Sequence, residues 1–442
     1  MVEHLESSMH QGYMRRIAVE TQGDNAPHLT VEPTRKYQRM LGFGGAFTEA
    51  AAYTFFRMSE ANQAAILNAY FDRQSGLRYN LGRVHINSCD FSLENYTYVD
   101  VDDESLDSFC IDRERRYVIP MIHRAHAVRG ASVSLLASPW SPPAWMKTNN
   151  SMNHGGSLKP KYADAWARYY VKYLEAMDKE GLDVFAISVQ NEPAATQTWD
   201  SCVYSAEEER DFVKKHLGPT LKQSPYRDTN IIVWDHNRDI LVERADTVLK
   251  DKEANAYVWG TGVHWYVSEA FENLTTLHER YPDKHILFTE GCIEGGVRLN
   301  DFTTAERYAR NMIGDIANHC EGYIDWNLVL DENGGPNHVG NYCDAPIICD
   351  TTTDTVHINS SYYAIGHFSR FVDEGAHRVH STTDHPFVRH VAFENPDGSI
   401  VIVLQNETDQ DTALNVDTTE GVRTVQLQRR SISTLRMGGK TL

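Results

Sequence analysis

The chain has 442 residues, 41% of them hydrophobic, and a formal net charge of -19 at pH 7. This length provides a large core, and an α/β barrel with an appended domain can reach such a size as one unit. Because the negative charge is spread along the chain, it argues against nucleic acid or an anionic membrane as a partner. The sequence has no apolar run of the ~18 residues that a transmembrane helix needs, so we predict no membrane span. It points to no particular oligomeric state.

The cysteine content indicates a reducing compartment. Seven cysteines, an odd number without close pairing in a chain of this size, are typical of free thiols rather than of a disulfide framework. Residues 1–21 mix charged and apolar side chains and contain no stretch that could act as a secretion signal. We therefore expect a cytoplasmic protein, or a secreted one if a signal was removed from the sequence.

The start of the chain predicts β-strands. Segments 16–20 and 28–32 alternate between apolar and polar residues, as half-buried strands do. They precede the main domain, so we expect residues 1–39 to pair with strands from the other end of the chain.

Eight short runs rich in Val, Ile, Leu and Phe follow, separated by longer segments with helical spacing. Repeated β-α units of this kind build a parallel sheet, and eight parallel strands can close into a barrel. We therefore predict an α/β fold, a (β/α)8 TIM barrel over residues 40–372. The predicted barrel strands are 40–47, 79–87, 131–140, 183–192, 230–237, 258–266, 285–292 and 323–331.

Helical periodicity is clearest at 162–180 and 303–319, where aromatic and aliphatic residues recur at steps of three and four. A single apolar stripe of this width packs a helix against a core, so we assign these aromatic residues to the outside of the barrel and not to a ligand site. One more helix is predicted at 362–372.

The last part of the chain changes from β-α units to short alternating segments, with a turn signal at 395–398. The pattern is typical of a meander or sandwich. We predict a small β-sandwich-like side domain over residues 373–442, completed by the N-terminal strands. Its predicted strands are 387–394, 399–405, 413–416, 423–428 and 431–436.

Two glutamates close predicted barrel strands, Glu192 the fourth and Glu290 the seventh. The C-terminal ends of barrel strands form the mouth in which active sites lie. Two carboxylates that face each other across such a mouth indicate a glycosidase, with one acting as nucleophile and the other as acid/base. Pro193 ends any strand that contains Glu192, and Gly291 lets backbone approach closely behind Glu290.

The residues around the two glutamates suggest their roles. A nucleophile must stay ionised, and we place Arg83 and Tyr266 around Glu290 for that purpose. Glu192 is then the acid/base, which must keep a proton through burial and through the nearby second carboxylate. Asn191 lies next to it, in position for a sugar hydroxyl.

Other residues at strand ends predict a sugar site. Trp140 follows the third strand and Trp326 lies in the eighth, and an indole stacks on the apolar face of a sugar ring. Asp90 follows the second strand and can accept hydroxyl protons. One apolar wall with a few polar groups is typical of a small-ligand pocket.

Motifs over residues 41–379 then follow one another in an order known from a protein family. They are GFGGAFTEA at 42–50, SCDFS at 88–92, the segment 140–149, QNEP at 190–193, FTEGC at 288–292, DWNL at 325–328 and NGGPN at 333–337. In these motifs the chain resembles glycoside hydrolase family 30, and most closely its glucosylceramidase branch. Segments 196–204 and 294–300 differ from the animal members of that branch, so the resemblance leaves the aglycone open.

The resemblance implies a (β/α)8 barrel, a β side domain built from both termini, and hydrolysis of β-glycosides with retention. It assigns Glu290 as the nucleophile and Glu192 as the acid/base, supported by Arg83 and His264. The positions that match sugar-contacting residues of the family are Asp90, Trp140, Asn191, Tyr266, Trp326 and Asn341. The activity it favours is that of a β-glucosidase of glucosylceramidase type, with an endo-β-1,6-glucanase or a β-xylosidase or β-fucosidase as alternatives.

Three other classes of protein are weighed against this one. A metal-dependent hydrolase lacks support because His123 and His126 are three residues apart with no glutamate placed between them to act as a base. A nucleotide-binding loop at Gly42 lacks the Gly-Lys-Ser/Thr that should follow. A non-catalytic carbohydrate-binding barrel would not require both carboxylates. We expect a carbohydrate or glycoside substrate, no metal and no cofactor.

Overall fold

The computed structural model describes residues 2–21, 26–418 and 421–438. The strands are β1 Val2–Ser8, β2 Gly12–Arg16, β3 Glu20–Thr21, β4 His28–Arg39, β5 Gly42–Ala46, β6 Leu81–Ile86, β7 Ser134–Pro139, β8 Val184–Ser188, β9 Asn230–Asn237, β10 Val258–His264, β11 His285–Glu290, β12 Gly322–Asn327, β13 Val329–Asp331, β14 Ile347–Asp350, β15 Thr355–Ile358, β16 His377–Thr383, β17 Val388–Glu394, β18 Ile400–Asn406, β19 Thr412–Thr418, β20 Gly421–Leu427 and β21 Ser431–Met437. The helices are α1 Glu49–Arg57, α2 Glu60–Phe71, α3 Val118–Arg129, α4 Ala163–Lys179, α5 Ala206–Phe212, α6 Gly218–Lys222, α7 Leu241–Leu249, α8 Lys252–Asn255, α9 Glu272–Arg280, α10 Phe302–Ala317 and α11 Ser360–Ser369. A π-helical turn, Val213–Leu217, joins α5 to α6.

Strands β5 to β12 form a closed parallel barrel, arranged around it in chain order. The predicted TIM barrel is therefore confirmed, and each of the eight predicted runs overlaps one barrel strand. The glycine-rich first strand is needed for close packing, because a Cβ atom on Gly44 would lie 2.0 Å from the carbonyl oxygen of Leu81 in β6. This contact gives the glycines of β5 a structural role.

Seven of the eight predicted barrel strands are longer than the observed strands, and two of them extend into a different local structure. The fourth ends at Ser188 instead of Glu192, because the backbone beyond it bonds to two neighbouring strands in an irregular path: Asn191 donates to Pro139 and Glu192 to Asp235. The eighth ends at Asn327, and the remainder forms β13, which pairs with β14 in a separate three-stranded sheet.

The predicted helices are confirmed as α4, α10 and α11, with ends that differ by a few residues. The aromatic stripe of α4 is buried, including Trp166, Tyr169, Tyr170 and Tyr173. These rings pack against the barrel core, as the periodicity predicted.

Strands from both ends of the chain form one ten-stranded sheet, in the order β2-β1-β21-β18-β17-β16-β4-β19-β20-β3. It encloses its own apolar core, which includes Leu29, Leu404 and Leu435. The predicted side domain built from both termini is thus confirmed as an architecture. Strands β1 and β16 were not predicted. The strand predicted at 16–20 is wrong, because residues 17–19 lie between β2 and β3. Residues 1, 22–25, 419–420 and 439–442 of the predicted side domain lie outside the described residues.

The side domain packs on α10 and α11 of the barrel. The buried ring of His367 in α11 bonds to Thr434 at 2.8 Å and to Ser7 at 2.9 Å, so strands from both termini contact this helix. All seven cysteines are free thiols. Within the described parts of the chain, every helix is too short or too polar to cross a membrane.

Candidate active site

The barrel interior changes from apolar to polar towards the C-terminal ends of its strands. One layer of mutually contacting side chains consists of Leu81, Leu136, Ala186, Ile232, Leu287 and Ile324. Two positions further along five of the same strands lie the buried residues Arg83, Ser138, Ser188, Thr289 and Trp326. Because successive strand residues alternate between faces, this second set faces the same interior one step nearer the mouth.

Strand β9 contributes to the polar layer through a bulge. Its pairing with β10 shifts register between Val233 and His236, and Trp234 and Asp235 have φ angles of 71° and 47°. Without the bulge, alternation from Ile232 would point Trp234 into the barrel and Asp235 out of it. The extra residue turns the Asp235 carboxylate inward.

Asp235 is the centre of the polar layer. Its Oδ2 accepts hydrogen bonds from Arg83 at 2.7 Å, Ser188 at 2.6 Å and Ser138 at 3.1 Å. Its Oδ1 accepts from Thr289 at 2.6 Å, and His264 Nε2 donates to the same atom at 3.1 Å. Burial alone would raise the pKa of Asp235, but Arg83 and His264 lower it far below the usual range. The carboxylate is therefore a permanent buried anion.

Glu290, the last residue of β11, points from this layer into the mouth. Arg83 Nη1 donates to its Oε2 at 2.5 Å, and the Tyr266 hydroxyl donates to its Oε1 at 2.9 Å. Burial raises the pKa of Glu290, whereas His264, Arg83 and Tyr266 favour its ionised form. Two donors on one carboxylate, one of them a cation, are what an anionic nucleophile requires.

Glu192 lies opposite, in the irregular segment after β8. Its φ angle of 49° is in the left-handed region, which costs a non-glycine residue energy and holds the side chain in a fixed direction. Its Oε1 accepts from His264 Nδ1 at 3.2 Å and lies 3.8 Å from His236 Nε2, and Gln197 donates to its Oε2 at 3.4 Å.

The two glutamates approach within reach of one sugar carbon. One carboxylate oxygen of Glu192, one of Glu290 and a ring nitrogen of His264 all lie within 4.8 Å of one another. Carboxyl groups separated by about 5 to 5.5 Å belong to retaining enzymes, whereas inverting enzymes keep them roughly 6.5 to 9.5 Å apart. The geometry favours direct attack by a carboxylate.

The ligand atoms of Glu192, Glu290 and His264 are also close enough together to hold a metal ion. The charge of His264 argues against a metal site. Burial would lower its pKa, yet Glu290, Asp235 and Glu192 together raise it to about 9. A metal ligand must be neutral imidazole, so the protonated ring is a poor ligand at neutral pH.

We expected burial to keep the acid/base proton on Glu192, but the groups around Glu192 have the opposite effect on its pKa. Burial does act to raise the pKa of Glu192, but His236 and His264 outweigh it and lower the value to about 2. Both shifts favour the proton on His264, 3.2 Å from Glu192 Oε1. Transfer along this hydrogen bond gives protonated Glu192 beside a neutral ring, which is the form that can protonate a leaving group.

This arrangement predicts the pH profile of kcat/KM. We expect a basic limb near pH 9, where the His264–Glu192 pair loses its proton, and an acidic limb above the usual pKa of a glutamate, where Glu290 gains one. His264→Gln should move the basic limb to lower pH by at least about one unit, because Glu192 then holds the proton alone. Initial rates with an aryl β-glucoside from pH 4 to 10 check this. An unchanged basic limb in the variant would assign it to another group.

The predicted sugar-binding residues lie together. A cavity of about 320 Å³ opens above the polar layer, and its lining includes Asp90, Trp140, Asn191, Tyr266, Trp326 and Asn341 as well as both glutamates. Arg83 and His264 lie beneath it, where they support the carboxylates. Every predicted site residue is thus placed in one site, and their catalytic and binding roles remain predictions.

One wall of the cavity is aromatic. The rings of Trp140 and Trp326 stack with centroids 5.2 Å apart, and the Arg83 guanidinium lies 4.8 Å from the Trp140 ring. This contact between a cation and two indoles fixes the aromatic wall on which a sugar ring can stack.

The cavity lining also includes a carboxyl group, that of Asp90. Asp90 Oδ2 accepts from the side-chain amides of Asn341 at 3.0 Å and Asn337 at 3.2 Å. Burial raises the pKa of Asp90 to about 7, although the two amides oppose the shift. A carboxyl group of this kind can both accept and donate hydrogen bonds to sugar hydroxyls near neutral pH.

Several residues of the site were not predicted from the sequence. Apart from Asp235, they are the cavity residues Gln197, Trp199, His236, Asn237, Glu294 and the Asp90 partner Asn337. A polar cluster at the C-terminal end of predicted strand 230–237 could have pointed to three of them, because that position faces the mouth. The residues on loops carried no comparable signal.

A TIM barrel with two facing carboxylates and a sugar-sized pocket at its C-terminal mouth defines a glycoside hydrolase. A model of the glycosyl hydrolase family 30 TIM-barrel domain matches residues 40–372, and a model of the β-sandwich domain of that family matches residues 375–435. The chain belongs to glycosyl hydrolase family 30, which confirms the resemblance seen in the motifs.

Three relatives illustrate the range of the family. Lysosomal acid glucosylceramidase of Mus musculus is 38% identical over 410 residues, which is 88% of this chain and 79% of the relative. The solved structure of SrfJ from Salmonella typhimurium is 38% identical, with a TM-score of 0.94 over 100% of both chains. A solved endo-β1,6-glucanase is 31% identical, with a TM-score of 0.89 over 98% of this chain and 99% of the other.

Proposed function

We propose that the chain is a retaining β-glucosidase that removes terminal β-glucose from glycosides with an apolar aglycone, as a glucosylceramidase does. The observation that carries the mechanism is the approach of Glu192 and Glu290 to within 4.8 Å. Similarity to the mouse glucosylceramidase supports the choice of glycone and aglycone.

The reaction proceeds by double displacement. Glu290, held by Arg83 and Tyr266, attacks the anomeric carbon while Glu192 gives a proton to the departing oxygen. The resulting glycosyl ester is then hydrolysed by a water molecule from which Glu192 takes a proton. Asn191, whose side-chain oxygen accepts from Arg83 at 2.9 Å, keeps its amide NH2 free for a sugar hydroxyl.

The loops next to Asp90 are bonded to one another, which supports a site for terminal sugars. His338 lies 3.3 Å from Asp200, and Asp200 accepts from Ser88 at 2.6 Å and from Asn95 at 2.8 Å. The backbone amide of His338 also donates to the carbonyl oxygen of Asp90 at 3.2 Å. These bonds tie three loops together next to Asp90, and we infer that the loops leave no room for a chain that extends past the first sugar.

The open end of the pocket has an apolar rim, and this favours an apolar leaving group. Among the described residues, nine large hydrophobic side chains are exposed, and three of them belong to loops at the mouth: Val267, Leu299 and Tyr342. Val267, which lines the cavity, is 65% exposed, and Tyr342 is 44% exposed. Clustered exposed apolar groups next to a pocket are typical of ligand-binding surfaces.

The rim predicts a preference for alkyl chains. Val267→Ser and Tyr342→Ser should each reduce kcat/KM for octyl β-glucoside by about fivefold while leaving methyl β-glucoside within about twofold, since only the octyl chain loses apolar contact. Phe387→Ser, at a side chain that is 66% exposed in the side domain, is the matched control and should change neither. Equal losses on both substrates would show that the rim acts on folding or on the sugar instead.

The endo-β1,6-glucanase that resembles the chain supports a second candidate, endo-hydrolysis of a β-1,6-glucan. Product analysis separates the two activities. Release of glucose alone from gentiobiose, a β-1,6-glucan and glucosylceramide supports the proposal, whereas early release of oligosaccharides from the glucan supports the alternative. Xylosides and fucosides in the same panel test the glycone, and the absence of turnover on every member would favour a carbohydrate-binding barrel.

A further inference from the structure

A second cavity lies at the opposite end of the barrel from the active site. It has a volume of about 360 Å³ and adjoins the first residues of β5 and the residue before β6, close to the segment that follows α11. We call it the basal arginine cavity, because Arg39, Arg73, Arg78 and Arg129 line it. None of these residues takes part in the site described above.

The positive charge in the basal arginine cavity is only partly neutralised. Two carboxylates, Asp373 and Glu374, line it against the four guanidinium groups. Asp373 bonds to Arg78 at 2.6 Å. In the described ranges of the chain, Arg39, Arg73 and Arg129 have no carboxylate oxygen within 4.0 Å. A chain with a net charge of -19 has many carboxylates that could have paired with them.

The arginines are also close enough to oppose one another. Burial lowers the pKa of Arg129, and the neighbouring charges of Arg73 and Arg78 lower it further, although Glu374 acts in the other direction. Within the described residues, the Arg129 side chain makes one hydrogen bond, a long one from Nε to the carbonyl oxygen of Ser132 at 3.3 Å. Most of its donor capacity is therefore available to a ligand.

We propose that the basal arginine cavity binds a small phosphorylated ligand. Several guanidinium forks around one cavity match the oxygens of a phosphate group, which arginine binds in a bidentate way and with charge-assisted hydrogen bonds. The volume is in the range of small-ligand pockets, so the site has room for a phosphate with an organic group attached. Arg39 and Arg73 are exposed, which gives a ligand access from solvent.

The position of the site predicts an effect on stability. Arg73 and Arg129 belong to the barrel, Arg39 ends β4 of the side-domain sheet, and Asp373 lies in the segment between α11 and β16. A phosphate that contacts the first three connects the barrel base to the side domain. A ligand that binds only the folded protein raises its melting temperature.

The test measures binding of three probes by calorimetry and thermal melting: inorganic phosphate, pyrophosphate and glucose 6-phosphate. At least one probe should bind wild type, raise its Tm and compete with sulfate. Arg73→Gln and Arg129→Gln should each weaken that probe at least tenfold while hydrolysis of an aryl β-glucoside stays unchanged. Arg429→Gln, at an exposed arginine of the side domain, is the matched control and should bind as wild type does.

The three probes separate the sources of the phosphate group. Tightest binding of glucose 6-phosphate identifies a sugar phosphate, and equal binding of inorganic phosphate identifies a site for the free anion. If all three fail to bind wild type at millimolar concentration, or if Arg73→Gln and Arg129→Gln bind as tightly as wild type, the proposal is wrong. Arg73 is exposed, so this variant remains informative even if Arg129→Gln folds poorly. The result does not depend on the substrate of the active site.

Discussion

Glu290→Ala is expected to lower hydrolysis of an aryl β-glucoside by on the order of 10⁴-fold or more, because no other group can form the glycosyl ester. Glu192→Ala should lose about 10²- to 10⁴-fold, the usual contribution of a general acid/base. Its loss should be smaller for an aryl leaving group of low pKa, which departs without protonation. Initial rates with two aryl glucosides of different leaving-group pKa measure both effects.

Azide distinguishes the two roles. In Glu290→Ala, azide can enter the space of the missing carboxylate and attack the substrate directly, which gives a glycosyl azide of inverted configuration. In Glu192→Ala, azide attacks the glycosyl ester on Glu290 and gives the retained product. Glu294→Ala is the matched control, because this carboxylate lines the same cavity and, among the described residues, bonds to Arg307 and to neither glutamate. It should stay within about tenfold of wild type. If Glu290→Ala gave the retained azide and Glu192→Ala the inverted one, Glu192 would be the nucleophile and Glu290 the acid/base.

The sequence was sufficient for the barrel because its signals are periodic and local. Eight apolar runs separated by helical segments specify a closed parallel sheet, and a glutamate at the end of a run must face the mouth. This is why Glu290 was placed correctly at the end of β11. Glu192 was placed at the mouth for the right reason but in the wrong local structure, since β8 ends four residues earlier.

What the sequence could not provide depends on contacts between distant residues. The bulge in β9 reverses the faces of Trp234 and Asp235, and nothing in the residues 230–237 marks its position. The proton on His264 depends on three carboxylates from β9, β11 and the segment after β8. The basal arginine cavity likewise combines residues from four separate parts of the chain. Alternation and motif spacing describe single segments, so they cannot predict such groups.

The second large effect is expected at Asp235. Asp235→Asn keeps the shape of the side chain but leaves Arg83 without its fully buried partner, with both side chains 0% exposed. Removing one member of a buried ion pair destabilises a protein by about 3 to 5 kcal/mol. The change also frees Arg83 and His264, which position Glu290 and Glu192, and a displacement of about 1 Å can cost ~10²-fold in rate. We therefore expect a lower midpoint of urea unfolding, measured by tryptophan fluorescence. We also expect a fall in kcat of at least about 10²-fold.

Asp315→Asn separates stability from catalysis. Asp315 in α10 forms an ion pair with Arg238 that is equally buried, with 0% exposure on both sides, and the Arg238 side chain packs on Phe271 and Phe288 outside the sugar cavity. This variant should lose stability to a similar extent while the folded fraction keeps the kcat of wild type, because neither partner bonds to Glu192 or Glu290. If Asp235→Asn also kept wild-type kcat per folded molecule, then Asp235 would be a purely structural anion, and Arg83 and His264 would hold the two glutamates in place without it.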